Sequence, residues 1–301
     1  MRSLAAACAV ALAVLAGCAS DQTEAGEPSA SQSPESAESA ESSAGTPTYV
    51  ALGDSYTAAP GVGETVDEGC ARSSSNYPAL VADELGLALT DVSCGGATTT
   101  SLVGAQETSA GVVPPQFAAL TEDTDVVTLG IGGNDQGLFA ELLMTCVFLR
   151  SQDPEGAPCR DAFNTEGTDR ALETIEVVRG RVTSALVGIR DRAPEAEVVL
   201  VGYPQLVPAR GQCDLLPLTP ADYDYVRGLI EALGAATESA AAQAGVRYVD
   251  MLAASEGHDI CAGEDAWVNG VGGSTDEATG MHPFPAGQEA AAELVVEALE
   301  G

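Results

Sequence analysis

A serine and a histidine near opposite ends of the 301-residue chain have the chemistry of a nucleophile and its base. Ser55 follows Gly53 and Asp54 at the end of an apolar run, where a tight turn would expose its hydroxyl at a helix N-terminus. His282 is one of only two histidines and lies just before the last helical pattern. A serine attacks a carbonyl carbon when a neighbouring imidazole takes its proton. The pair therefore points to acyl-transfer chemistry, although each residue alone is more often a helix cap or a packed loop residue.

Two glycine-rich segments could bind the negative charge that such an attack creates. Residues 93–98 read Ser-Cys-Gly-Gly-Ala-Thr and could present a backbone N–H. Residues 130–135 read Gly-Ile-Gly-Gly-Asn-Asp and offer the side-chain amide of Asn134. A tetrahedral intermediate needs about two or three such donors around its oxygen. Taken singly, both segments are common glycine turns, but together with Ser55 and His282 they predict one site.

The elements that would position these segments alternate along residues 47–301, which we interpret as one domain. Short runs rich in Val, Leu and Ile predict parallel strands over Thr48–Leu52, Leu89–Ser93, Asp125–Leu129, Glu197–Gly202 and Val246–Asp250. Apolar residues three and four apart predict helices over Tyr77–Leu85, Gln136–Leu149, Thr168–Arg192, Ala221–Ala244 and Ala286–Leu299. Segments 150–167 and 203–220 are predicted as loops.

This alternation predicts an α/β fold. We expect a three-layer α/β/α, flavodoxin-like, doubly wound architecture with about five parallel strands. Such sheets bind ligands outside the carboxyl ends of their strands. The glycine-rich segments and Ser55 all follow predicted strands, so the fold would bring them to the same edge.

Four candidate residues follow one another along the chain in the order serine, glycine, asparagine and histidine: Ser55, a strand-end glycine, Asn134 and His282. This is the order that gives the SGNH (GDSL) hydrolase family its name. The chain resembles that family over most of residues 47–301. Residues 257–270, with His282 and the following proline, look like its branch of secreted bacterial lipases and esterases with three disulfides. The resemblance implies that Ser55 is the nucleophile and that His282 is the general base and then the acid.

The resemblance also implies an oxyanion hole made of the Ser55 backbone N–H, the Gly96 backbone N–H and the Asn134 side-chain amide. Gly96 is preferred to Gly95 because the glycine of this family precedes a small or polar residue, here Ala97. Neither a metal nor an organic cofactor is implied.

The chain departs from the family pattern at Thr279, where an aspartate usually stands three residues before the histidine. A threonine hydroxyl cannot supply the charge that stabilises an imidazolium. A backbone carbonyl could instead accept the Nδ1–H of His282, as in some relatives of this branch. The side-chain candidates are Thr279 itself and Asp276 or Glu277, which would have to fold back. The carbonyl is favoured because both carboxylates lie five or six residues away in a flexible stretch.

Three other residues near the expected site have competing interpretations. His258 could replace His282 as the base, but it lies three residues before Cys261, and a structural or substrate-rim role is favoured. Trp267, the only tryptophan, could line an acyl pocket or pack in the core. Asp54 is expected to form a hydrogen bond within the turn that carries Ser55.

The cysteines point to an oxidising compartment. Six of them lie in the expected domain, and an even count in an exported chain suggests three disulfides. Six cysteines allow about 15 connectivities. Nearest-neighbour pairing is the simplest, and the resemblance supports it: Cys70–Cys94, Cys146–Cys159 and Cys213–Cys261. No Cys-x-x-Cys spacing occurs, so a zinc site is not expected.

The N-terminal segment predicts export. Residues 1–17 have a short apolar core typical of a signal peptide, and Leu-Ala-Gly before Cys18 resembles the lipobox of bacterial lipoproteins, in which the cysteine is lipidated. An ordinary secretory peptide is the alternative. Residues 18–46 are rich in Ser, Ala, Glu and Pro, carry no basic residue, and are expected to form a disordered acidic tether.

The charge balance excludes some partners. The chain has 45 Asp and Glu against 12 basic residues, all arginine, for a formal net charge of −33. Such a field repels nucleic acid and anionic lipid, so membrane association is expected only through the N-terminal anchor.

The sequence thus predicts an exported, monomeric serine ester hydrolase that acts on small-molecule or lipid acyl esters. A carbohydrate deacetylase or a phospholipase is the enzymatic alternative. A non-catalytic binding lipoprotein displayed at the cell surface is the alternative from another class, because fold does not fix function and Thr279 replaces the usual aspartate.

Overall fold

Five parallel strands form the central sheet of the computed structural model, which describes residues 45–301. They are β1 (Thr48–Gly53), β2 (Ala88–Asp91), β3 (Val126–Gly130), β4 (Glu197–Val201) and β5 (Arg247–Val249). Their order is β2-β1-β3-β4-β5, and every neighbouring pair is parallel. This is the flavodoxin-like doubly wound order, whose switch point lies between β1 and β3. The predicted fold class is confirmed.

The helices cover both faces of this sheet. The α-helices of the described residues are α1 (Ser55–Ala58), α2 (Tyr77–Leu85), α3 (Thr99–Val103), α4 (Leu138–Leu149), α5 (Pro158–Phe163), α6 (Arg170–Arg190), α7 (Pro220–Ala244), α8 (Met251–Ala254) and α9 (Pro285–Glu300). Helices α2 and α9 pack on one face, and α6 and α7 pack on the other.

Strand β1 shows why both faces need a cover. Its side chains alternate across the sheet: Tyr49 and Ala51 pack toward α2 and α9, whereas Val50 and Leu52 pack into the larger core with α6 and α7. All four side chains are buried. The strand pairs residue by residue with β2 on one side and β3 on the other, and this register sets the place where the chain leaves the sheet at Ser55.

The predicted strands and long helices agree with the structure to within two residues at each end. The predicted starts of α4 and α6 are two residues too early. Gln136 has a positive φ of 53° and lies before α4. Asp169 caps α6, since its carboxylate accepts from the backbone N–H groups of Ala171 and Leu172. The predicted loop over residues 150–167 contains α5.

Disulfides and short hairpins tie down the connections. Cys70 is joined to Cys94, Cys146 to Cys159 and Cys213 to Cys261. Antiparallel hairpins pair Thr65–Asp67 with Arg72–Ser73, Gln106–Thr108 with Gly111–Val113, and Asn164–Thr165 with Thr168–Asp169. Within residues 45–301, no helix is both long and apolar enough to cross a membrane. The expected signal peptide, Cys18 and the tether up to residue 44 lie outside the described residues.

Candidate active site

Ser55 lies at the carboxyl end of β1, where it opens the short helix α1. Asp54 precedes it in extended conformation and caps α1, accepting a 2.9 Å hydrogen bond from the Tyr56 backbone N–H. Gly53 is required at the turn because a Cβ there would collide with the Thr57 side chain and the Gly130 carbonyl. The serine hydroxyl is thereby presented at the switch point of the sheet.

His282 faces this hydroxyl from the loop before α9. Its Nε2 lies 2.8 Å from Ser55 Oγ, and its Nδ1 lies 2.8 Å from the Gly280 carbonyl oxygen. The second contact makes Nδ1 the protonated nitrogen and leaves Nε2 free to accept the serine proton. Burial lowers the pKa of His282, so the ring is neutral at pH 7. The geometry is that of a hydroxyl and a base ready for proton transfer.

The partner of His282 Nδ1 is thus a backbone carbonyl, not the side chain of Thr279 or Asp276, the possible orienters named from the sequence, nor that of Glu277. Thr279 is used through its backbone, whose N–H donates to Pro60 and whose carbonyl accepts from the His282 N–H. Asp276 and Glu277 are exposed to solvent. The carbonyl replaces a side chain as the partner of Nδ1 because the tight turn between Thr279 and His282 brings the Gly280 carbonyl close to the ring.

Hydrogen bonds from Asn269 and Tyr56 hold the main chain of the histidine loop on both sides. The buried Asn269 amide donates to the carbonyls of Gly273 and Ala278, and its backbone N–H donates to the His282 carbonyl at 3.0 Å. On the other side, the Tyr56 hydroxyl donates 2.7 Å to the carbonyl of Met281. Tyr56 follows Ser55 directly, so this bond ties the histidine loop to the turn that carries the serine.

The three expected oxyanion donors come from the ends of β1, β2 and β3. Among the described residues, the backbone N–H groups of Ser55 and Gly96 have no hydrogen-bond acceptor. Gly95 is different, because its N–H donates to the Cys70 carbonyl at 2.8 Å and is already used. The Asn134 amide donates one proton to the Ala97 carbonyl at 3.1 Å, and its second proton is available. This arrangement favours Gly96 over Gly95 as a donor.

A buried hydrogen-bond chain connects the serine turn to the asparagine turn. Tyr203 donates to the Asp54 carboxylate at 2.5 Å, and its oxygen accepts the Gly133 N–H at 2.8 Å. Asp54 is only 1% exposed, and this burial raises its pKa from 3.8 to about 7, although the bonds from Tyr203 and Tyr56 oppose the shift. These hydrogen bonds connect the Gly132–Gly133 peptide to the side chain of Asp54, the residue before Ser55.

Sequence reasoning missed three glutamines whose side chains bind the backbone around the site. Gln116 forms two hydrogen bonds to Gly53, Gln106 donates to Gly95, and Gln288 donates to the Tyr56 carbonyl. No local pattern could have revealed them, because each glutamine is distant in sequence from the backbone group that it holds.

An ion pair between the buried Asp135 carboxylate and the partly exposed Arg181 guanidinium holds the far side of the Asn134 turn. Asp135 accepts from the Thr99 N–H and hydroxyl and from the Arg181 guanidinium. These contacts connect the loops after β2 and β3, which carry the expected donors.

His258 is not among the residues that surround Ser55 and His282. Its ring stacks on Trp267 with centroids 4.3 Å apart, and its Nδ1 contacts the Asp265 carbonyl at 2.7 Å. Both contacts are structural, which agrees with the interpretation favoured from the sequence. Trp267 does not line the cleft that holds Ser55. It packs against the apolar residues on both faces of the sheet, those beside α2 and α9 and those beside α6 and α7.

A cleft of about 450 Å³ leads to Ser55 and His282. Its walls are largely apolar and include Phe139, Leu143, Met144, Val271 and Met281. Met144 is 72% exposed and carries the apolar surface out to the mouth of the cleft. Within residues 45–301, no group of three or more His, Cys, Asp or Glu side chains is arranged to hold a metal ion.

A doubly wound sheet with a serine–histidine pair at its switch point defines an α/β/α hydrolase, and similarity to known proteins identifies the family. Residues 51–290 match the GDSL-like Lipase/Acylhydrolase family. The chain belongs to this family and is a carboxylic ester hydrolase.

Three relatives show how far the similarity extends. Lipase 2 of Streptomyces coelicolor is 42% identical over 226 residues, which are 72% of this chain and 74% of that protein. The crystal structure of phospholipase A1 from Streptomyces albidoflavus NA297 gives a TM-score of 0.70 at 32% identity, over 84% of this chain and 99% of that one. The extracellular lipase from Streptomyces rimosus gives a TM-score of 0.69 at 27% identity, over 84% of this chain and all (100%) of that one.

Proposed function

We propose that this protein is an exported serine esterase or lipase that cleaves acyl esters with Ser55 as nucleophile and His282 as general base. The observation that carries the proposal is the 2.8 Å contact between Ser55 Oγ and His282 Nε2 at the base of an apolar cleft. A Ser–His pair with the base oriented by a third group is the arrangement that nucleophilic acyl transfer requires.

The first half of the proposed reaction acylates the enzyme. Ser55 Oγ attacks the ester carbonyl carbon while its proton moves to His282 Nε2. The oxygen of the tetrahedral intermediate accepts hydrogen bonds from the Ser55 N–H, the Gly96 N–H and the Asn134 amide. His282 then gives the proton to the leaving alcohol, and an ester of Ser55 remains.

Water completes the cycle. His282 Nε2 takes a proton from a water molecule that attacks the acyl-serine, and the acid leaves as Ser55 regains its proton. The Gly280 carbonyl keeps Nδ1 protonated throughout, since it accepts that N–H at 2.8 Å. A carbonyl dipole stabilises the imidazolium less than a carboxylate would.

The cleft supports an ester with an aliphatic acyl chain. Its wall of Phe139, Leu143 and Val271 is apolar, and the net charge of −33 disfavours anionic substrates. The similarity to lipase 2 of S. coelicolor supports the same class. Phospholipid acyl esters are the second candidate, which the 32% identity to phospholipase A1 of S. albidoflavus favours.

Export is supported by the disulfides and the N-terminal sequence. Three disulfides persist in oxidising compartments. We propose that residues 1–17 are a signal peptide, that Cys18 is lipidated, and that residues 18–46 tether a monomeric domain over 47–301.

Hydrolysis of p-nitrophenyl esters from acetate to palmitate tests the proposal. The full chain is compared with Ser55→Ala and with Ser184→Ala, a matched control on the exposed face of α6. We expect turnover that Ser55→Ala abolishes and Ser184→Ala retains, with a chain-length profile that separates an esterase from a lipase. A folded, oxidised protein without turnover, or a Ser55→Ala variant with full turnover, would contradict it.

A further inference from the structure

The Gly96 donor belongs to a turn whose central peptide can adopt two orientations. Ala97 N–H donates 3.0 Å to the Cys94 carbonyl, which closes a β-turn with Gly95 and Gly96 at its centre. Gly96 has a φ of 73°, the conformation of the third residue in a type II turn. Types I and II differ chiefly by a flip of the central peptide, and two consecutive glycines allow either type without steric cost.

That central peptide contains both the Gly95 carbonyl and the Gly96 N–H. The two groups point in opposite directions because a trans peptide is planar. A flip would therefore reverse the Gly96 N–H together with the Gly95 carbonyl. Whatever holds the carbonyl also aims the N–H.

One side chain holds the carbonyl. Gln106 Nε2 donates to the Gly95 oxygen at 2.8 Å from the first residue of the hairpin strand Gln106–Thr108. Its Oε1 is the one buried side-chain N or O atom within residues 45–301 that lacks a hydrogen-bond partner. Exchanging the two amide atoms would place Oε1 against the Gly95 oxygen, so the orientation found is the one that can bind the turn.

We propose that Gln106 is a positioning residue that keeps the Gly95–Gly96 peptide in its type II orientation and so aims the Gly96 N–H at the oxyanion. This inference rests on the proposed function and adds a residue to it. The bond from Gln106 also polarises the peptide, which makes its N–H a stronger donor. The unpartnered Oε1 fits this role, because the amide orientation satisfies the Gly95 carbonyl although it leaves Oε1 without a hydrogen bond.

Two substitutions separate positioning from packing. Gln106→Leu removes the donor. Gln106→Glu keeps the shape, but its carboxylate has no proton to give at neutral pH and regains a donor when it is protonated. Glu107→Gln, at the exposed neighbouring position of the same strand, is the matched control. All three are made in the full chain and checked by thermal unfolding.

The readouts are kcat and KM for p-nitrophenyl butyrate and the inhibition constant of an alkyl trifluoromethyl ketone. The ketone's serine adduct places an oxyanion in the hole, so a change in its affinity that KM does not share reports the oxyanion donors. Losing one oxyanion donor costs about 10²–10³ in kcat, and a misdirected donor should cost about 10–100-fold. We expect this loss in kcat for Gln106→Leu, a matching rise in the inhibition constant, and little change in KM.

The pH dependence gives the sharper result. As pH falls, the activity of Gln106→Glu relative to wild type should rise, since a protonated carboxyl can donate to Gly95, while the ratio for Gln106→Leu stays constant. If wild type turns over esters and both variants retain kcat within twofold, the inference is wrong and the proposed function stands. If both variants lose kcat without weakening the ketone, or if their ratios to wild type follow pH identically, Gln106 is only structural. A wild type without ester turnover would refute both proposals.

Discussion

Removing one phenolic oxygen tests the buried chain that connects the two halves of the site. In Tyr203→Phe, the Asp54 carboxylate loses its 2.5 Å donor and the Gly133 N–H loses its 2.8 Å acceptor. Both groups stay buried. The substitution keeps the aromatic ring, which packs edge-on against Tyr56 with centroids 5.1 Å apart. The effect is therefore one of hydrogen bonding and not of cavity formation.

The magnitude follows from the two groups left unpaired. A hydrogen bond to a charged group contributes about 1.5–3 kcal/mol, and a buried unsatisfied N–H costs about 1–3 kcal/mol. We therefore expect Tyr203→Phe to lower the free energy of unfolding by about 3–5 kcal/mol above pH 7, where Asp54 is ionised.

The free energy of unfolding depends on pH through Asp54, and the direction of this dependence follows from the pKa shift. Burial raises the pKa of Asp54 from 3.8 to about 7, so the folded state binds the proton more tightly than the unfolded state. This group makes wild-type stability fall by about 3 kcal/mol as pH rises from 4 to 7. Tyr203 opposes the shift, so in Tyr203→Phe the pKa of Asp54 rises further and the fall continues above pH 7.

Urea unfolding at pH 5.5 and pH 8.5 measures the effect, with Tyr248→Phe as the matched control. Tyr248 bonds only the neutral Thr237 and Gly234 oxygens, so its loss should not depend on pH over this range. The destabilisation by Tyr203→Phe should be larger at pH 8.5. Equal losses at the two pH values, or a loss below 1 kcal/mol at both, would refute the proposed coupling between Asp54 and Tyr203.

Three further predictions concern the histidine and the cleft. Because burial lowers the pKa of His282, kcat/KM should stay constant through neutral pH and fall only below about pH 6.5; a midpoint above pH 7 would argue against this. Because the Gly280 carbonyl orients the ring, Asp276→Asn and Thr279→Val should keep kcat within about threefold, and a loss near that of His282→Ala would contradict it. Met144→Ser should reduce turnover of decanoate more than of acetate, and equal effects would exclude an acyl-chain contact.

The fold was largely predictable because its signals are local. The three central strands β1, β3 and β4 are buried on both faces and read as nearly continuous apolar runs. Helix α2 has the predicted ends, where Asn76 caps it and Gly86 ends it. The helix predicted over Thr168–Arg192 is two residues longer at each end than α6, and Leu172 in its first turn is 44% exposed. Periodicity finds the face of a helix, but tertiary packing decides how much of its first turn is covered.

The candidate site was predictable only in part. Ser55, His282 and Asn134 could be placed because each follows a strand or precedes a helix with a clear pattern. The Gly280 carbonyl could be anticipated only as one of several orienters, because its position depends on a turn with Met281 at a φ of 65°. Gln106 gave no signal, because its contact with Gly95 forms only when the hairpin folds back.

The central claim, that Ser55 is the nucleophile and His282 its base, is tested most directly by covalent labelling. The full chain is treated with a fluorophosphonate ester, and the adduct is counted by intact mass and located by peptide mapping. One equivalent should attach to Ser55, none should attach to Ser55→Ala, and His282→Ala should react at least about 10³-fold more slowly. Stoichiometric labelling of another residue, or unchanged labelling in His282→Ala, would contradict the assignment.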